Sequence, residues 1–113
     1  MSLEREVFAL LAENAELMTK GGNDPSSLSD VQHYQYERGV GTYMSLIYSA
    51  YIQHRRDLVE DEVWDDYLNA LGLHMQAPGF SDAWRCICVG YPKSFQDLVE
   101  ERFPQVRNAK EVA

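Results

Sequence analysis

The sequence predicts an all-α fold: a single compact domain over residues 1–113, with about five helices built around a long central tyrosine-rich helix. Three observations predict it. Apolar residues recur at helical spacing in each segment, and no stretch alternates long enough to read as a strand. A Ser29-x-x-Gln32 capping box opens a periodic run that continues to about Arg55. The 113 residues are 45% hydrophobic and 25% charged, with 7 Gly and 4 Pro, which suits one ordinary core and no internal repeat.

The first helix is expected from Leu3 to about Lys20. Leu3, Val7, Leu10, Leu11, Leu17 and Met18 share one face, and Arg5, Glu6, Glu13, Glu16 and Lys20 take the other. Ser2 is a candidate N-cap, and Gly21-Gly22 is the expected stop, since glycine best accepts the left-handed backbone after a helix end. Asn14 falls within the apolar face, where its amide is expected to bond a neighbouring loop or helix end.

Residues 21–28 read as a loop that closes on the capping box. In the second helix, Tyr36, Val40, Tyr43, Ile47 and Tyr51 form one stripe, with Tyr34, Gly41, Tyr48 and Ile52 in a second stripe beside it. Only the strip of Gln35, Arg38, Thr42, Ser45, Ser49 and Gln53 is polar. So wide an apolar arc suits a helix contacted on several sides, or one that also makes a subunit interface. Gly39 and Gly41 lower helix propensity by about 1 kcal/mol each, which anticipates close approach of another group.

The acidic run Glu60, Asp61, Glu62, Asp65 and Asp66 opens a third helix reaching about Gln76, because carboxylates favour the positive end of the macrodipole. Trp64, Tyr67, Leu68, Leu71 and Met75 form its apolar face, and Pro78-Gly79 is expected to break it. A short fourth helix runs from Ser81 to about Val89 and turns Trp84, Ile87 and Cys88 inward. Gly90-Tyr91-Pro92 leads into a fifth, carrying Phe95, Leu98, Val99 and Phe103, which Pro104 ends.

Net charge is −8, shared as −3 over residues 1–57 and −5 over 58–113, and the densest basic group is Arg55-Arg56. Nucleic acid is therefore not an expected partner, because polyanion affinity needs clustered cations. No apolar run approaches the roughly 20 residues of a membrane-spanning helix, and the start lacks the basic and apolar regions of a signal peptide. Cys86 and Cys88 diverge by about 200° on a helix, so they are read as reduced and packed in the core.

Chemistry-bearing patterns are few. His33, His54 and His74 lie about twenty residues apart with no second histidine at helical spacing, and Glu-x-x-His is absent. Asp30, His33 and Glu37 align on one helix, where first-turn charge and pairing along the helix face explain them without a metal. Cys86-Ile87-Cys88 lacks the two-residue gap of redox and zinc motifs, and no nucleophile elbow or phosphate-cradling loop occurs. No catalytic residue, metal or cofactor is implied. The 2 Trp, 7 Tyr and 4 Phe serve mainly as core, with Tyr34, Tyr48 and Ile52 as the candidate partner-contact face.

Across the second half, Leu58-Val59, Val63-Trp64, Pro78-Gly79-Phe80, Trp84, Tyr91-Pro92, Phe95 and Val99-Glu100 stand in an order that resembles an uncharacterised family of small bacterial all-helical domains. Asn14, Leu17, Leu28-Ser29 and the tyrosine-rich helix extend the similarity to the first half. Many members follow an N-terminal membrane-spanning helix, so the resemblance implies attachment to the inner membrane through a segment absent here, with the cytoplasm as the alternative location. It brings no activity or catalytic residue. The sequence thus points to a non-enzymatic helical interaction or self-association module. The alternative is a small-ligand-binding domain or minor enzyme with a pocket against the long helix, using His33, Glu37 or His74 as polar groups.

Overall fold

The computed structural model describes residues 3–106. Six α-helices follow in order: α1 (Leu3–Glu13), α2 (Ala15–Asn23), α3 (Asp30–Arg55), α4 (Asp61–Met75), α5 (Pro78–Ile87) and α6 (Lys93–Arg102). Short 3-10 turns occupy Pro25–Ser27, Cys88–Gly90 and Pro104–Val106, and the described residues contain no strand. None of these helices is long and apolar enough to cross a membrane. Ser2, and the side chains of Leu3, Leu10, Leu11 and Glu13, lie outside the described residues.

The long helix α3 is the axis on which α1, α2, α4 and α5 pack. Its start is the expected capping box: the Gln32 N–H donates to Ser29 Oγ at 3.2 Å, and the Ser29 N–H donates to Gln32 Oε1 at 2.9 Å. Tyr36, Val40, Tyr43, Met44, Leu46, Ile47 and Ala50 are buried along it. At its end Asp57 takes a left-handed conformation, φ 60°, while the Leu58 N–H reaches back to the Gln53 carbonyl at 2.9 Å. That closure satisfies carbonyls the helix would otherwise leave bare, with an aspartate where glycine is usual.

Four expectations need correction. The first helix divides at Asn14, whose backbone (φ −115°, ψ 26°) leaves the helical range and whose carbonyl accepts the Met18 N–H at 2.9 Å to start α2. Asn14 is exposed at this junction and does not sit in an apolar face, in keeping with the preference of asparagine for helix ends over interiors.

Gly21 and Gly22 lie inside α2 and do not end it, and no described glycine has a positive φ. Their role is steric. A Cβ on Gly21 would fall within the Tyr36 ring, and one on Gly79 would overlap the Gly21 carbonyl. Helices α2 and α5 therefore cross at backbone contact, and α2 lies directly on the Tyr36 ring of α3.

Pro78-Gly79 opens α5 three residues earlier than expected, because proline is at home in the first helical turn. Ser81 is buried in α5 and donates from Oγ to the Met75 carbonyl at 2.8 Å, tying it to the end of α4. Of the two free cysteines, Cys88 is half-buried, whereas Cys86 is exposed and takes no part in the core.

Phe95 and Val99 anchor α6, with Phe103 and Val106 buried beyond it. Trp84 and Phe95 meet edge to face at 5.9 Å, and Tyr48 meets Phe95 at 5.2 Å, so a ring cluster joins α3, α5 and α6. His54 Nε2 lies 2.7 Å from Asp61 Oδ1 and its ring stacks on Trp64, clasping the end of α3 to the start of α4.

Candidate functional site

Helix α3 presents a different surface on each flank. On one, its N-terminal half runs beside the 87–91 turn and leaves an open groove of about 370 Å³, lined by Tyr34, Glu37, Arg38 and Thr42 against Ile87 and Tyr91. Tyr91 fastens the turn to the helix: its hydroxyl donates to the Gly41 carbonyl at 3.3 Å and lies 3.1 Å from Ser45 Oγ. Tyr34 is 63% exposed and Val31, one turn earlier, 67%. The Arg38 guanidinium covers the Tyr34 ring at 5.7 Å and donates to its hydroxyl at 3.2 Å, holding the ring in one orientation.

On the other flank a cleft of about 280 Å³ lies among α2, the end of α4 and the start of α5, where Met18, Gly22, Asn23, Tyr36, His74 and Phe80 face one another. His74 is exposed overall, while its ring packs edge-on to Tyr43 at 4.6 Å and stacks on Phe80 at 5.4 Å. Burial lowers its pKa, so the imidazole is neutral at pH 7. Burial, then the Asp82 charge, pushes Tyr36 up to about 12; burial, then Tyr67, does the same to Tyr43. Both tyrosines keep their protons at pH 7.

The Tyr36 hydroxyl is the unusual group. Tyr36 is 2% exposed, yet its hydroxyl makes no hydrogen bond to any described residue, and it is not sealed off as a buried orphan. It stands at the cleft wall beside Gly22, where a Cβ would come to 3.6 Å of the oxygen.

The sequence-derived candidates separate in space. Tyr34 is exposed in the open groove, Tyr48 is half-buried among Tyr51, Tyr91 and Phe95 of its own chain, and Ile52 is half-buried. Glu37 lines the open groove, His74 lines the opposite cleft, and His33 is exposed and lines neither. Among the described residues no three His, Cys, Asp or Glu side chains gather where they could hold a metal ion. A pocket against the long helix with His74 among its polar groups is the alternative the sequence offers, and His74 lines this cleft; Tyr36 was expected in the core, and its hydroxyl at the cleft wall was not foreseen. The available signal was Gly21-Gly22 together with Gly79, small residues that mark a tight helix crossing. Comparison with known proteins finds no matching family, curated protein or solved structure.

Proposed function

We propose that this chain is a non-enzymatic helical interaction module that self-associates through the N-terminal half of α3. The observation that carries the reading is the outward pair Val31 and Tyr34 on a helix otherwise packed by four others. Exposed rings held in one rotamer are favourable contact groups, because association then costs little side-chain entropy. Tyrosine and arginine are also the residue types that concentrate at the energetic centre of interfaces.

A second copy is the fitting partner because the patch carries one acid and one base side by side, Glu37 and Arg38. Across a two-fold axis each would meet its opposite on the neighbouring chain. The net charge of −8 on each copy opposes encounter, so moderate salt should strengthen the dimer by screening that repulsion.

Sedimentation velocity at rising micromolar concentration tests this. The expected result is a concentration-dependent dimer that the Val31→Ser/Tyr34→Ser variant abolishes, whereas a strictly monomeric protein under all these conditions overturns it. The family resemblance extends the proposal to a membrane-proximal setting. There the test is whether the natural coding sequence upstream of Met1 contains an apolar segment of about 20 residues. Without one, that part of the proposal is lost.

A further inference from the structure

The cleft on the far flank of α3 does not take part in the proposed self-association and has a different character. We propose that it is a binding site for a small, neutral, planar aromatic molecule, held between the Tyr36 hydroxyl and the ring system of His74, Tyr43 and Phe80.

The size is right for one or two rings. At about 280 Å³ the cleft lies at the lower edge of small-molecule pockets, which span roughly 300–1,000 Å³. The walls select a flat ligand, since His74, Tyr43 and Phe80 already meet in edge-to-face and stacked geometry and Met18 and Leu73 add apolar surface.

Neutrality follows from the lining. No Asp, Glu, Lys or Arg lines it among the described residues, so a charged ligand would find no ion-pair partner in contact, while the rings and hydroxyl serve a neutral one. Anions are further opposed by the overall charge of −8.

Polar recognition comes from Tyr36. Among the described residues no buried side-chain oxygen is left without a partner, so the Tyr36 hydroxyl, which bonds none of them, opens to the cleft and is a donor free to meet an acceptor there. Its place at the cleft wall, beside a glycine that leaves the oxygen uncovered, puts an entering ligand within its reach. Thr19 and Asn23 at the end of α2 supply further donors and acceptors on the same rim.

The test is amide NMR of the full chain titrated with a series that varies charge at nearly constant shape: benzamide (neutral), benzoate (anionic) and benzamidine (cationic), with indole as a second neutral probe. Benzamide and indole are expected to shift the Gly22, Asn23, His74 and Ala77 amides saturably in the millimolar range, with both ions at least about tenfold weaker. Tyr36→Phe should weaken benzamide about tenfold while keeping the melting midpoint within about 2 °C, because the hydroxyl supports nothing in the free protein. Three results overturn the proposal: no saturable shift of those amides with the neutral probes, equal response to the charged ones, or unchanged benzamide affinity in Tyr36→Phe. A drop of more than about 5 °C in that variant does so as well, since it would show the hydroxyl to be a structural partner.

Discussion

Tyr34 and Tyr36 stand two residues apart on the same helix and lead opposite lives. Tyr34 is 63% exposed and Tyr36 2%. The cause is not the tyrosines, which sit about 200° apart around α3 simply because a helix turns 100° per residue. It is what lies opposite each. Facing Tyr36 are Gly21 and Gly22, which let the α2 backbone close over the ring, while Gly79 lets α5 lie directly on that same stretch of α2. Facing Tyr34 is only the edge of a groove whose far wall, Ile87 and Tyr91, stops short of covering it. The comparison shows that small residues on neighbouring helices decide which ring becomes core and which becomes surface.

The most severe way to break the buried flank is Gly79→Ala. Its Cβ would collide with the Gly21 carbonyl, a backbone atom that cannot turn aside, so a loss of about 3 kcal/mol or more is expected in urea unfolding. A loss under about 1 kcal/mol would show that α2 and α5 do not cross this closely. On the open flank the largest expected effect is smaller. Tyr91→Phe removes the hydroxyl that meets Ser45 and the Gly41 carbonyl and should cost about 1 kcal/mol, loosening the far wall of the groove.

Much of this architecture was legible beforehand, and the parts that were not share a cause. Ser29 and Gln32 announced α3 because a capping box is a local arrangement complete within four residues. Gly21-Gly22 read as a terminator, and Pro78-Gly79 as a break alone although it also opens α5, because glycine serves helix ends and helix crossings alike and only the partner helix tells which. Asn14 was misread because Leu17 and Met18 continue the apolar period past it, hiding the break. Tyr34 was recognisable as a surface ring from its register. Tyr48 was not recognisable as covered, since its cover, Tyr91 and Phe95, comes from more than forty residues away in sequence. The part that Tyr36 and Gly22 play in the far cleft went unseen for the same reason: they become neighbours of His74 only in three dimensions.

Acid and alkali should sharpen the same contrast, because the groups with altered pKa values at the two clefts lie on the buried flank. His74 is lowered by burial, so the folded state favours the neutral ring. Its contribution is complete above the ordinary histidine value of 6.5 and is lost as pH falls through the lowered one. Tyr36 and Tyr43, raised from 10 to about 12, favour the folded state below pH 10, and that support disappears as pH rises from 10 towards 12. Unfolding free energy should therefore fall at both ends, and His74→Gln should flatten the acid limb, as read by urea titrations across pH. An acid limb unchanged in that variant would place its origin elsewhere.

The smallest effect on stability is expected from Tyr34→Ser, within about 0.5 kcal/mol of the unaltered protein, since the ring covers no core. A cost above about 1.5 kcal/mol in the dilute protein would mean that Tyr34 supports the fold itself.

Hydroxyl-radical footprinting read by mass spectrometry addresses the asymmetry of α3 most directly, because it reports both tyrosines in one sample. In dilute solution Tyr34 should be modified many times faster than Tyr36. As protein concentration rises, Tyr34 should become protected while Tyr36 stays as slow as before. Similar rates at the two positions in the dilute protein, or a Tyr34 rate indifferent to concentration, would contradict the account.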